Sequence, residues 1–278
     1  MNRLKLKSQL EQFFIEDIGD RDLSSETIFG KEEKGEIIFF AKDNGVFCGE
    51  DVINIGFSLL DEEAVVELNV KDGDRIEKGQ VFATVKGKVA SLLQGERVVL
   101  NLIQRMSGIA TQTQEAVTIL NSSHTKITDT RKTTPGLRMF EKHAVTCGGG
   151  VNHRFGLYDA VMIKDNHISF AGSITKAVEK VHAQVGHMVK IEVEVETEEQ
   201  VKEAVTAKAD VIMFDNRTPD EIKAWIELVP ESIKTEASGG ISLNNLASYS
   251  DTGVDVISLG ALTHTVKALD ISVKVQIG

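Results

Sequence analysis

The sequence predicts an α/β protein whose second half is a parallel α/β barrel, and three observations carry that expectation. From residue 125 onward, short β-prone runs at 126–130, 160–164, 189–195, 211–215, 234–238 and 254–259 alternate with helical stretches such as 173–184 and 198–207. Such alternation specifies βα units sharing one parallel sheet. Every one of these runs ends in charges or glycines. The glycines Gly148, Gly149 and Gly150 do not continue as G-x-G-x-x-G, because His153 stands where the last Gly would be. That favours a barrel over an open dinucleotide-binding sheet.

Before residue 125 the pattern differs. Residues 5–18 carry apolar side chains at helical spacing. Strand-like runs follow at 35–41, 65–70 and 81–85, the last two separated by a turn built on Asp72-Gly73. Residues 95–120 read as one long helix with Arg97 in its first turn. At the other end, Ile271, Val273, Val275 and Ile277 alternate with polar residues, the mark of a half-buried strand. A parallel barrel has no place for such a terminal strand, so it is expected to return to the N-terminal domain.

Composition narrows the function classes. Of 278 residues, 41% are hydrophobic and only three are proline, so long disorder is not expected. No apolar run approaches the ~18–20 residues of a membrane helix. Met1–Leu10 has no apolar core of a signal peptide. Cys48 and Cys147 form no spaced framework, so free thiols and a cytoplasmic location are expected. A net charge of −11 disfavours nucleic acid as a partner. Yet residues 126–164 hold seven Lys or Arg against three acids, which points to a small anionic ligand in a local pocket.

The strand ends make this concrete. They read Arg131-Lys132, Lys164-Asp165-Asn166-His167, Glu194-Val195-Glu196, Asp215-Asn216, Ser238-Gly239-Gly240 and Gly260-Ala261. In an α/β barrel these ends share one mouth, where active sites are built. Side chains alternate along 191–196, so Ile191, Val193 and Val195 face the helices while Glu192, Glu194 and Glu196 face inward. Buried carboxylates cost several kcal/mol unless matched, and Arg131, Lys132 and Lys164 are the available cations. The glycine-bearing ends at 238–240 and 259–261 suit phosphate, because glycine lets backbone N–H groups approach an oxyanion and a following helix adds its dipole.

These blocks together resemble a known signature. Asp129-Thr130-Arg131-Lys132-Thr133-Thr134-Pro135-Gly136-Leu137-Arg138, Gly148-Gly149-Gly150-Val151-Asn152-His153-Arg154, Ile163-Lys164-Asp165-Asn166-His167, Glu192–Glu196, Phe214-Asp215-Asn216 and Glu236–Ile241 look like the nicotinate-nucleotide pyrophosphorylase (carboxylating), or quinolinate phosphoribosyltransferase, family. Upstream, Gly95-Glu96-Arg97 and Ser107–Thr111 fit as well, so the resemblance covers nearly the whole chain. It implies an N-terminal α/β sandwich, residues 1–110 joined by 265–278, and an open seven-stranded α/β barrel, residues 111–264. It implies a pentosyltransferase of NAD biosynthesis that joins quinolinate to phosphoribosyl pyrophosphate and releases pyrophosphate and CO2. By matching positions, Arg131, Lys132, His153, Arg154 and Lys164 would line the dicarboxylate pocket. Glu194 and Asp215 would face the ribose and Mg2+, and Ser238, Gly239 and Gly260 would hold the 5′-phosphate. The family works as a homodimer, with higher oligomers open, and Arg97 would reach the partner's site.

The residue types fit that chemistry. Arg offers planar bidentate donors to carboxylates and Lys a compact charge. Displacement at the anomeric carbon passes through a cation-like sugar, which Glu194 and Asp215 can stabilise, so Lys132, Lys164, Glu194 and Asp215 are the expected catalytic residues. Other readings are weaker. A pyrophosphorylase-like protein of molybdenum-transport operons shares the barrel blocks, but Arg97, His153-Arg154 and Lys164 argue for quinolinate. Cys147 with His153 could form a nucleophilic pair, though no third group is apparent and a structural thiol is expected. No H-x-H or H-x-x-x-H pair suggests zinc. His167 is expected to be a satisfied hydrogen-bonding histidine. Asp72-Gly73-Asp74 with Lys86-Gly87-Lys88 resembles a carrier-domain hairpin, but lacks an exposed-lysine turn.

Overall fold

Residues 1–276 are described by a computed structural model. In chain order the elements are α1 (Arg3–Ile18), α2 (Ser25–Ile28), β1 (Lys34–Ala41), β2 (Gly45–Val46), α3 (Glu50–Leu60), β3 (Val65–Leu68), β4 (Arg75–Ile76), β5 (Val81–Lys88) and α4 (Val89–Leu120). Then come β6 (Lys126–Thr128), α5 (Arg138–Cys147), β7 (Val161–Ile163), α6 (Asp165–Ala171), α7 (Ile174–His182), β8 (Ile191–Val195), α8 (Glu198–Thr206) and β9 (Val211–Asp215). The chain finishes with α9 (Pro219–Ile226), β10 (Lys234–Ser238), a 3-10 turn (Leu246–Tyr249), β11 (Val256–Ser258), α10 (Ala261–His264) and β12 (Ile271–Gln276).

Two compact units result. Among the described residues the first contains Met1–Gln114, Met139–Gly149 and 265–276, and the second Glu115–Arg138 and Gly150–His264. Residues 139–149, which the sequence reading assigned to the barrel, thus group with the first unit. They do so because α5 turns a buried face, Phe140, Glu141, Ala144 and Val145, into its core. Arg105 holds the buried Glu141 there, with its Nε at 2.9 Å and Nη2 at 2.6 Å.

In the first unit an antiparallel sheet runs β12-β1-β5-β3. Phe39, Phe47, Phe57 and Phe82 interlock beneath it, with ring centroids 5.1 to 6.3 Å apart. The expected return of the terminal strand is observed: β12 pairs antiparallel with β1, Ile271 opposite Ala41 and Val275 opposite Ile37. Ile277 lies outside the described residues. One expectation is corrected. The long helix starts at Val89, so Arg97 sits in its third turn, exposed, and not in the first. Lys86 and Lys88 lie within β5, where Lys86 pairs with Glu36 and Glu67 and Lys88 with Glu32, so no carrier-type lysine stands at a hairpin tip.

In the second unit six strands form a parallel sheet, β6-β11-β10-β9-β8-β7. A seventh position is reduced to a single parallel bridge between Val151 and Thr128 beside β6. The sheet is open, since no pairing joins β6 to β7 among the described residues. Ile191, Val193 and Val195 are fully buried on one face of β8, as their alternation requires. At the amino ends of the strands, Asp210 accepts from Ile191 N–H and pairs with Lys190, while Asp255 accepts from Thr235 N–H and pairs with Lys234. No helix is long and apolar enough to cross a membrane among the described residues.

The terminal segment is held against α4 by backbone. Leu269 N–H donates to Gln104 O at 2.9 Å, and Gln104 Nε2 donates to Ile271 O at 2.7 Å. A Cβ on Gly108 would lie 2.2 Å from Lys267 O, a contact with backbone that nothing flexible can relieve. Gly108→Ala should therefore lower unfolding free energy by about 1–3 kcal/mol, read by urea denaturation. An unchanged midpoint would mean that this close approach does not stabilise the unit.

Candidate active site

The carboxyl ends of the parallel strands bound a cavity of about 560 Å3 in the second unit. Its wall carries Arg131, Lys132, His153, Arg154, Lys164, Glu194, Asp215, Ser238 and Gly239, nine of the eleven expected site residues. Arg97 belongs to the first unit. Gly260 stands just behind the wall: a Cβ there would lie 3.1 Å from Lys132 Cδ, so the glycine makes room for the lysine stem.

Local structure aims each of these groups. Lys132 is fixed through its backbone, with its N–H donating to Thr130 Oγ1 and its carbonyl accepting from Thr263 Oγ1. Lys164 caps α6, and its N–H donates to His167 Nδ1 at 3.0 Å, so His167 is the satisfied histidine the sequence suggested. The Lys164 ammonium pairs with the Glu194 carboxylate. Burial raises the Glu194 pKa above the usual carboxylate range, and Lys164 opposes the rise.

Asp129, fully buried, organises the next segment. It accepts from Asn152 Nδ2 at 2.6 Å and from His153 N–H at 2.9 Å. Arg154 N–H donates to His153 Nδ1, which makes Nδ1 an acceptor and leaves Nε2 to face two acids. Those acids are Glu192 at 3.0 Å and Glu236 at 3.6 Å. The expected inward turn of Glu192 and Glu194 is therefore found, but their partners divide: Lys164 meets Glu194, whereas His153 meets Glu192. Glu196 lies beyond the end of β8 and is exposed, contrary to the inward position expected of it. Arg154 Nη1 donates to Ala160 O. Its pKa is lowered by burial first and then by the charge of Arg131.

The third side of the cavity is a glycine turn. Gly239 and Gly240 both adopt positive φ, +80° and +66°, so consecutive N–H groups can converge on one anion. A Cβ on Gly239 would meet Asn216 Oδ1 at 2.4 Å and Asn216 N at 2.9 Å. Asn216 is itself left-handed, φ 53°, and its Nδ2 donates to Asp215 Oδ2 at 2.6 Å. The helices that follow are only a 3-10 turn and the four-residue α10. Backbone N–H groups rather than a helix dipole are what this turn offers.

Glu236, Glu192 as a partner of His153, Asp129 and Asn216 are not among the site residues expected from the sequence. Glu236 faces the same way as Glu192, but Lys234–Ser238 contains a single carboxylate and gives no alternation to notice.

Family models for the N-terminal domain and the C-terminal domain of quinolinate phosphoribosyl transferase match residues 22–107 and 109–274. The chain belongs to the quinolinate phosphoribosyl transferase family. It is 59% identical over 277 residues to a probable nicotinate-nucleotide pyrophosphorylase (carboxylating) of Bacillus subtilis (strain 168), covering 100% of this chain and 96% of that one. A probable nicotinate-nucleotide pyrophosphorylase (carboxylating) of Synechocystis sp. is 42% identical, covering 96% of this chain and 91% of the relative. Among solved structures, NadC from Streptococcus pyogenes superposes with a TM-score of 0.95 at 39% identity, covering 99% of this chain and 97% of that one. The nicotinate-nucleotide pyrophosphorylase from Francisella tularensis does so at 0.93 and 35% identity, covering 99% and 98%. Membership of the quinolinate phosphoribosyl transferase family agrees with the open parallel sheet and with cations gathered at its carboxyl ends.

Beneath the cations, Glu236 is pushed up to about 8, by burial first and then by the charge of Glu192. Among the described residues its Oε1 has no hydrogen-bond partner. A carboxyl whose folded pKa lies above its unfolded value binds more protons in the folded state between the two. Its contribution to stability is thus present at pH 5 and lost as pH rises toward 8. Glu236→Gln should flatten this part of the stability profile, raising the variant relative to the parent at pH 8 and not at pH 5, as measured by urea unfolding. Parallel profiles would show that Glu236 keeps no proton.

Proposed function

We propose that this protein transfers the phosphoribosyl group of phosphoribosyl pyrophosphate to the ring nitrogen of quinolinate, releases pyrophosphate and CO2, and forms nicotinate mononucleotide for NAD biosynthesis. The observation that carries the reading is the convergence, in one cavity, of Arg131, Lys132, Arg154 and Lys164 with Glu194, Asp215 and the Gly239-Gly240 turn. Four cations match a planar dianion, and the guanidinium forks suit its two carboxylates. The two acids suit a sugar that becomes positive at its anomeric carbon. The glycine turn suits the 5′-phosphate, with Gly260 keeping Lys132 in place and the Ser238 hydroxyl aligned by a 2.8 Å bond from Ser258 Oγ.

These residues position and neutralise; no dedicated general base is needed. Lys164, paired with Glu194, opposes the rise that burial imposes on that acid's pKa. Once the ring nitrogen bears the ribose it is a pyridinium, and it accepts the electrons of the adjacent carboxylate as CO2 leaves. No organic cofactor enters. For Mg2+, the donor set fits: it takes one or two carboxylates together with phosphate oxygens and water, and Glu194 and Asp215 are hard oxygen donors lining one wall. Bound there, it would neutralise the departing pyrophosphate.

The reading extends to a cytoplasmic homodimer in which Arg97 serves the partner's cavity. Its support is that Arg97 is exposed on α4 and has no ion-pair partner among the described residues.

The direct test is to mix protein, quinolinate, phosphoribosyl pyrophosphate and Mg2+ and to follow the pyridine nucleotide by absorbance; no product above background would end the proposal. Lys132→Ala should lose roughly 10²-fold or more in kcat while keeping its circular dichroism. Near-parental activity would remove that strand end from the site. Arg97→Ala should regain activity in mixed dimers with a cavity variant such as Lys132→Ala. Failure to complement would place Arg97 outside the partner's site.

A further inference from the structure

A second cluster of reactive side chains lies in the first unit, and the proposed transfer reaction makes no use of it. Cys48, Asp72, His143 and Cys147 place one sulfur, nitrogen or oxygen atom each within 4.8 Å of all the others. The sulfurs of Cys48 and Cys147 are 3.3 Å apart, closer than two unbonded sulfurs normally rest. His143 Nε2 is 2.7 Å from Asp72 Oδ2 and 3.5 Å from Cys147 Sγ. Asp72 is anchored in turn, its Oδ1 accepting from Gly49 and Glu50 N–H at 2.6 and 2.9 Å. Cys48 is fully buried and pinned by Ser107 on both its N–H and its carbonyl, whereas Cys147 is partly open to solvent.

The geometry separates three uses of such a group. A nucleophile activated by a His–carboxylate relay uses opposite nitrogens of the ring, but here one nitrogen serves both neighbours, so acyl-transfer chemistry is not favoured. Tetrahedral zinc with bonds of about 2.3 Å would hold two thiolates about 3.8 Å apart. Here the sulfurs are closer than that, and the imidazole bonds the carboxylate directly. What remains is a thiol beside a fixed cation with a second thiol in contact.

We propose that Cys147 and Cys48 are a hydroperoxide-reactive thiol pair, with Cys147 the attacking and Cys48 the resolving sulfur, and that oxidation joins them in a reversible disulfide. The Cys147 thiolate attacks the outer peroxide oxygen; the S–O bond forms as the O–O bond breaks. The departing alkoxide or hydroxide takes a proton from His143, leaving a sulfenic acid. The Cys48 sulfur then attacks the Cys147 sulfur, and the hydroxyl leaves as water with the Cys48 proton. The thiol pair is oxidised by two electrons and the peroxide is reduced by two. The sulfurs must close by about 1.2 Å to reach a bond.

The proton positions agree with these roles. Burial pushes the Cys48 thiol well up, so it keeps its proton and donates it to Cys147. That bond, then His143, brings Cys147 down to about 6. Asp72 first, then Cys147, hold His143 up at about 9.

The test treats the full-length protein with one equivalent of hydrogen peroxide at neutral pH, alkylates what remains and maps the peptides. A Cys48–Cys147 linked peptide that dithiothreitol releases is expected. Cys48→Ser should stop at a sulfenic acid on Cys147 that dimedone traps, and Cys147→Ser should resist oxidation. His143→Gln should slow alkylation of Cys147 by about tenfold. Two free thiols after peroxide, sulfenic acid on Cys48, or protein purified with one tightly held zinc that shields both thiols would each overturn the proposal.

Discussion

Buried carboxylates set the terms on which the second unit folds. Asp129, Glu192 and Glu236 are all nearly inaccessible to water, and Glu194 is largely so. An unmatched carboxylate in such a place costs several kcal/mol. The chain answers each one differently. Asp129 accepts two N–H donors, Glu192 takes the His153 ring, Glu194 takes Lys164, and Glu236 retains its proton. None of these acids is paired with Arg131, Lys132 or Arg154 among the described residues, and those three cations line the cavity.

The two ends of the parallel strands show the same residue types under opposite conditions. At the amino ends, Asp210 and Asp255 each hold an N–H at the start of the neighbouring strand, of Ile191 and Thr235, and an exposed lysine, and both carboxyls stay below the usual range despite some burial. Such pairs register the strands and offer nothing to a ligand. At the carboxyl ends, side chains from several strands line one cavity, and charges of both signs are brought together. Sequence spacing cannot distinguish a registering Asp from a site Asp. The distinction is which end of the strand carries it.

Much of this was legible. The strands 211–215 and 234–238 were read to the residue, and nine of eleven site residues share the cavity, because charges or glycines at six successive strand ends are a pattern that local sequence preserves. Partnerships were not legible. Which basic side chain meets Glu192 depends on the reach of side chains across neighbouring strands, and His153 rather than a lysine fills that place because Asp129 pins its backbone. The cluster around Cys147 was half legible. His143 and Cys147 stand one helical turn apart on α5, the i, i+4 spacing that brings side chains together. Pairing Cys147 with His153 overlooked that turn. Cys48 and Asp72 come from distant segments, so only the fold could bring them to it.

The cation-lined cavity is in tension with itself. Arg154 is partly buried and feels the charge of Arg131, and both lower its affinity for a proton. Like charges held together in low dielectric are unfavourable until an anion arrives, so the surrounding structure has to hold them. It does so with neutral and remote groups: Arg154 gives one N–H to Ala160 O, and Asp159, at the end of the same loop, ties down Phe155 and Gly156 N–H. None of these contacts places a carboxylate on the guanidinium itself. The loop therefore fixes where the charge stands, and the charges of Glu192 and Asp159 offset its burial and the charge of Arg131 only in part. A dianion entering the cavity meets cations already in position, and relief of their repulsion adds to the attraction it feels. Among the described residues Lys164 is the one of the four with an acid paired to it: Glu194 would face the positive sugar, and its lysine neighbour opposes the pKa rise that burial imposes on it.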